Sequence, residues 1–169
     1  MRAAVVLAAG ALLTSCARPG ELTVEEKQRR IDEMYAGYRT EFPAVPSVGV
    51  EALLEALEGP DAPILVDVRT DEERRVSTIP GAISKDELEA RAGDLDGRPI
   101  VTYCTIGYRS GLYADELRRR GFEAANLEGS ILAWTHTGRP LEHEGEPTRR
   151  VHVYGPTWDL AGDGFESVW

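Results

Sequence analysis

The stretch "PIVTYCTIGYRSGLYADELRRRG", residues 99–121, holds an apolar run, a turn and a helical pattern in that order. Pro99–Cys104 is short, apolar and β-branched, as expected of a strand buried on both faces. "SGLYADELRRR" (110–120) reads as a helix closed by Gly121. Cys104 thus stands where a strand hands over to a helix, with Arg109 five positions on. Backbone N–H groups in such a turn, together with the helix N-terminus, make a cradle that stabilises an anion. A thiol at its base ionises readily, its pKa falling from about 8.5 to roughly 3.5–7.5. Gly107 permits a tight turn or a positive φ. Arg109 supplies a permanent charge and a planar fork suited to a sulfonate-like or carboxylate group. Ser110 is placed to cap the loop or donate to sulfur.

Outward from this stretch, strands and helices alternate. "PILVDV" (63–68) is a second buried strand, and "FEAANLEG" (122–129) supplies another short one. "VEALLEALEGP" from Val50 is a short helix stopped by Gly59-Pro60, and "SILAWTHTGRP" (130–140) is a helix ended by Gly138 and Pro140. Capping boxes stand at Thr23 with Glu26, Thr70 with Glu73 and Ser84 with Glu87, each opening a helix. In the first of these helices Val24, Ile31, Tyr35, Tyr38 and Phe42 share one stripe, which predicts a helix to about Glu41 that packs on the domain as a spacer with no chemistry. Strands separated by helices imply an α/β fold: a parallel sheet with helices on both faces and ligand sites at the carboxyl ends of the strands.

The 169 residues suffice for one domain with a real core, and a net charge of −10 argues against a nucleic-acid partner. Three histidines, His136, His143 and His152, lack metal-ligand spacing, so no metal is expected. Trp134 is expected in the core. Without a second cysteine beside Cys104, a dithiol mechanism is excluded.

"MRAAVVLAAGALLTSC" at the start has one positive charge, Arg2, before a small-apolar run too short to span a bilayer. Its ending "LTSC" resembles the lipobox of bacterial lipoproteins, which implies cleavage before Cys16, a lipid on its thiol, and a place in the bacterial cell envelope facing the periplasm or exterior. Cleavage would leave a charge of 18 − 29 = −11, and Cys104 as the only free thiol.

Four residues, Thr105, Ile106, Gly107 and Tyr108, separate Cys104 from Arg109. Tyrosine phosphatases and related arsenate reductases have one more, which makes room for a tetrahedral phosphate. The shorter loop resembles that of the rhodaneses, sized to one sulfur atom. "LVDVRTDEE" resembles the rhodanese segment around its aspartate and arginine; "STIPGAI" resembles "GHIPGAI", with Thr78 where histidine is usual; "LEGSILAWTHTGRP" resembles the closing stretch. The resemblance covers a rhodanese-like domain at 46–141; the lipobox and the capped helix place before it a lipoprotein signal peptide at 1–15 and a tether and N-terminal helix at 16–45, and a C-terminal extension follows at 142–169. The rhodanese resemblance also implies that Cys104 and Arg109 are catalytic, with Thr105, Ile106, Gly107, Tyr108 and Ser110 binding substrate. Asp67 and Arg69 are expected in support, Asp67 accepting loop N–H groups and Arg69 in an ion pair.

The implied chemistry is sulfur transfer, which needs no organic cofactor. The Cys104 thiolate takes the sulfane sulfur of thiosulfate or a persulfide and passes it to a thiol, sulfite or cyanide. The competing reading is a rhodanese fold used as a binding or regulatory module without turnover. Apart from Arg109 the loop has no cation, and Ile106 and Tyr108 make its rim apolar, which weighs against thiosulfate as the natural donor. Beyond Pro140, "LEHEGEPTRR" reads as a loop and "VHVYGPTWDL" as an edge strand with a turn. Tyr154, Trp158, Phe165 and Trp169 are expected to pack on the domain, a protein partner being their other destination.

Overall fold

The structure, a computed structural model, describes residues 22–91, 95 and 97–169. The signal peptide, Cys16 and the tether up to Glu21 lie outside the described residues.

Helix α1 spans Val24–Tyr38 and continues as a 3-10 turn over Arg39–Glu41. A parallel sheet follows, built from β1 (Ser47–Val48), β2 (Ile64–Asp67), β3 (Ile83–Ser84), β4 (Ile100–Tyr103) and β5 (Ala124–Leu127) in the order β1-β5-β4-β2-β3. The connecting helices are α2 (Val50–Leu57), α3 (Asp71–Val76), α4 (Lys85–Ala90), α5 (Tyr108–Arg119) and α6 (Ser130–Thr135). All three capping boxes form. Helix α5 starts two residues earlier than the sequence pattern implies, so Arg109 and Ser110 lie in its first turn.

Side-chain alternation along the strands separates two cores. Leu65, Val101 and Tyr103 face a cluster holding Ile31 of α1, Leu53 of α2 and Ile131 and Trp134 of α6. Val66 and Ile100 face the opposite cluster, with Leu88 of α4, Tyr113 and Leu117 of α5, and Phe42 just past the 3-10 turn. The sheet is therefore covered on both faces, which explains why its strands read as unbroken apolar runs.

One expectation needs correcting. The segment after Pro140 is not a loop: β6 (Leu141–His143) and β7 (Glu146–Thr148) form an antiparallel hairpin. Its two-residue turn places Glu144 at φ 51° and Gly145 at φ 84°, the left-handed pair that matches the twist of a hairpin. The strand that follows, β8 (Arg150–His152), is an edge strand as expected, pairing in parallel with β9 (Glu166–Val168) in a two-stranded sheet. The C-terminal extension packs on the domain. Leu141, Val151, Val153, Leu160 and Ala161 are buried in the first core cluster, with Trp158 and Phe165 packed on it, while Tyr154 and Trp169 stay exposed.

Candidate active site

Cys104 follows β4 directly, at the carboxyl edge of the central strand of the sheet. Its loop is held from behind by α6. The N–H groups of Ile131 and Leu132, free because they open a helix, donate to the carbonyls of Cys104 and Thr105, both at 3.2 Å. The N–H of Cys104 donates to Ser130 Oγ at 3.1 Å. Asn126 Nδ2 donates to the Gly107 carbonyl at 2.8 Å. With those carbonyls turned to the scaffold, amides are left for the sulfur: Gly107 N–H donates to Cys104 Sγ at 3.2 Å.

Helix α1 braces the same loop, and so is more than a spacer. Gly107 sits at φ 111°, and a Cβ there would lie 2.6 Å from the Tyr35 ring. Tyr35 Oη hydrogen-bonds Ser47 Oγ at 2.7 Å and accepts from Asn126 Nδ2 at 3.4 Å. Gly129, at φ 61°, admits Ile31 of α1 to 2.5 Å of where its Cβ would be. Positive φ and close approach together require glycine at both positions.

Burial pushes the Cys104 thiol pKa up. The Ser110 hydroxyl and N–H, the Arg109 charge and the Gly107 N–H together outweigh it, and the thiol lies below its ordinary value. Thr105 and Ile106 are buried, whereas Tyr108 is exposed at the rim.

Arg109 does not stand as a free cation. Its guanidinium donates to both oxygens of Glu73, at 2.7 and 2.6 Å, and to Thr105 Oγ1 at 3.1 Å. Burial raises the Glu73 pKa, but the hydrogen bonds from Arg109 and the Thr70 N–H and the charges of Arg109 and Arg69 hold it down at about 2. Glu73 is the capping-box glutamate of α3; one Glu73 oxygen also accepts the Thr70 N–H at 3.0 Å. The sequence showed its local role and gave no sign of the pairing across the fold.

Asp67 and Arg69 form a fully buried ion pair at 2.7 Å. Asp67 accepts the Arg69 N–H at 3.0 Å and the Tyr103 hydroxyl at 2.7 Å, and none of its hydrogen bonds goes to the cysteine loop, contrary to expectation. Arg69 also donates to the Ser77 carbonyl at 2.6 Å, and Ser77 Oγ donates to the Arg150 carbonyl at 2.6 Å. The pair therefore fixes the path into the C-terminal extension. Thr78 joins it too, exchanging backbone hydrogen bonds with Glu142 at 2.8 Å.

A cleft of about 310 Å³ opens over the thiol, floored by Cys104, Thr105 and Ile106. Tyr38, Tyr108, Tyr154 and Trp158 wall it, with Arg109 among them. The Tyr38 and Tyr108 rings lie 5.3 Å apart, and Tyr154 packs edge-on to Trp158 at 5.5 Å and under the Arg109 guanidinium at 5.5 Å.

The family model of the rhodanese-like domain matches residues 49–137. The chain belongs to the rhodanese-like domain family. Its strand–cysteine loop–helix unit lies within the matched segment, whereas Tyr38, Tyr154 and Trp158 lie outside it. Among relatives, a tRNA sulfurtransferase of Desulfurococcus amylolyticus is 36% identical over 109 residues, 63% of this chain but only 22% of that protein. A sulfurtransferase of Allochromatium vinosum is 31% identical over 101 residues, 57% of this chain and 94% of that protein. The crystal structure of a rhodanese-like domain protein from Staphylococcus aureus superposes with a TM-score of 0.51 at 29% identity, covering 59% of this chain and 99% of the other.

Proposed function

We propose that this rhodanese-like protein is a sulfurtransferase that carries a sulfane sulfur as a persulfide on Cys104. The observation that carries the proposal is the thiol itself: it sits at the base of an amide-lined loop, with Gly107 N–H on its sulfur and its pKa lowered. Sulfurtransferase-named relatives support the same chemistry.

In the first half-reaction the Cys104 thiolate attacks the outer sulfur of thiosulfate or a persulfide. A new S–S bond forms, the donor's S–S bond breaks, and its electron pair leaves as sulfite or a thiolate. In the second, a thiol, sulfite or cyanide attacks the outer sulfur and Cys104 leaves as thiolate. Gly107 N–H and Ser110 stabilise the thiolate at both ends of the cycle. Arg109 and Glu73 hold the first turn of α5 in place. Incubation with a donor and intact-mass measurement test the proposal: Cys104 should gain one sulfur atom.

We also propose attachment to a bacterial envelope membrane by a lipid on Cys16. The support is the sequence "LTSC" closing a short apolar run. No helix among the described residues is long and apolar enough to cross a membrane.

A further inference from the structure

The walls of the cleft point to the donor. Tyr38, Tyr154 and Trp158 come from the N-terminal helix and the C-terminal extension, not from the matched domain. These segments are built in. Val151 and Val153 are buried, Ser77 Oγ ties the Arg150 carbonyl, and Lys27 Nζ of α1 donates to the Ala161 carbonyl at 3.0 Å. Tyr154 keeps 63% and Tyr108 40% of their surface exposed, so ring faces remain for a ligand.

The charges point the same way. The Nη1–Nη2 edge of Arg109 is committed to Glu73 and one face lies over Tyr154. With Cys104 as thiolate, Cys104, Arg109 and the buried Glu73 behind it sum to −1, and the remaining lining of the cleft is mostly apolar. A compact dianion entering there loses its water and meets no uncommitted cation. An apolar group gains by leaving water.

On the sulfurtransferase reading, we infer that the cleft selects organic persulfides whose sulfane sulfur is carried by an apolar or aromatic group, and discriminates against thiosulfate. Tyr38, Tyr154 and Trp158 are the residues that set this preference. The step balances: Cys104–S⁻ + H–S–S–R gives Cys104–S–S–H + R–S⁻. The bond to Cys104 forms as the donor's S–S bond breaks, the electron pair leaves on the inner sulfur, and the proton stays on the transferred one.

The test compares benzyl persulfide with thiosulfate as donors, following sulfur added to Cys104 by mass and kcat/KM with one common acceptor. The ratio of kcat/KM for benzyl persulfide over thiosulfate should be about tenfold or more in the wild type, and should fall about tenfold in Trp158→Ala, corresponding to about 1.4 kcal/mol. Tyr154→Ala, at an exposed position, should lower the ratio in the same direction and serves if Trp158→Ala folds poorly. Equal or better use of thiosulfate by the wild type overturns the inference and leaves sulfur transfer standing, as does an unchanged ratio in both variants. Failure of either donor to load Cys104 removes the sulfurtransferase reading and the inference with it.

Discussion

Glu73 holds Arg109 through both carboxylate oxygens, at 2.6 and 2.7 Å, across the gap between α3 and the first turn of α5. The Arg109 side chain is 31% exposed and that of Glu73 only 4%. Removing either partner leaves the other without its bidentate charge partner. Arg109→Ala should therefore cost about 2–3 kcal/mol of stability in denaturant titration. The loss falls on folding as well as on donor use, unlike the expectation from sequence that Arg109 serves mainly as an anion site. Arg109→Ala with Glu73→Leu should recover part of the stability and none of the charge.

The same pair sets an acid limb. Glu73 is depressed to about 2 from an ordinary 4.5, so folding releases a proton from it. Stability from the pair is complete above about pH 4.5, and is lost as pH falls towards 2. Glu73→Gln should flatten this limb in denaturation midpoints measured across that range. An unchanged limb would mean that Arg109 does not depress Glu73.

Ser110 gives the largest of the effects that lower the Cys104 pKa. A thiol with a depressed pKa is ionised above that value and loses reactivity as pH falls through it. The rate of sulfur loading against pH should thus reach its plateau below the ordinary thiol range, about 8.5. Ser110→Ala should move the midpoint upward, because the variant loses the hydroxyl that stabilises the thiolate. A midpoint that stays put would remove Ser110 from the thiolate's support.

Much of this architecture is legible in the chain. The capping boxes at Thr23, Thr70 and Ser84, the apolar runs of β2 and β4, and the Gly107 turn are local signals, and each appears where its local rule places it. The hairpin after Pro140 escaped because Glu144-Gly145 lacks the usual asparagine or aspartate before glycine. β1 and β3 escaped because each is only two residues long. In the site, Cys104 announced itself by its place between strand and helix. Glu73, Asn126, Ser130, Tyr35 and Tyr38 did not, because their roles depend on partners from 19 to 91 residues away or on which walls the fold brings together. Tyr154 and Trp158 stood out as aromatics needing a place, and that place is the cleft.

The envelope proposal is tested by feeding radiolabelled fatty acid to an expressing bacterium. Wild type should take up label and Cys16→Ala should not. Unlabelled wild type recovered in soluble form would contradict lipidation at Cys16.

The central claim is that Cys104 carries the transferred sulfur. The most direct measurement is the intact mass of wild type and Cys104→Ser after incubation with thiosulfate or a persulfide and removal of the donor. Wild type should gain the mass of one sulfur atom, lose it on adding a thiol or cyanide, and pass it to that acceptor. Cys104→Ser, with its fold retained by circular dichroism, should gain nothing. Sulfur transfer at the wild-type rate by Cys104→Ser, or no sulfur on wild-type Cys104 with any donor, would contradict the account.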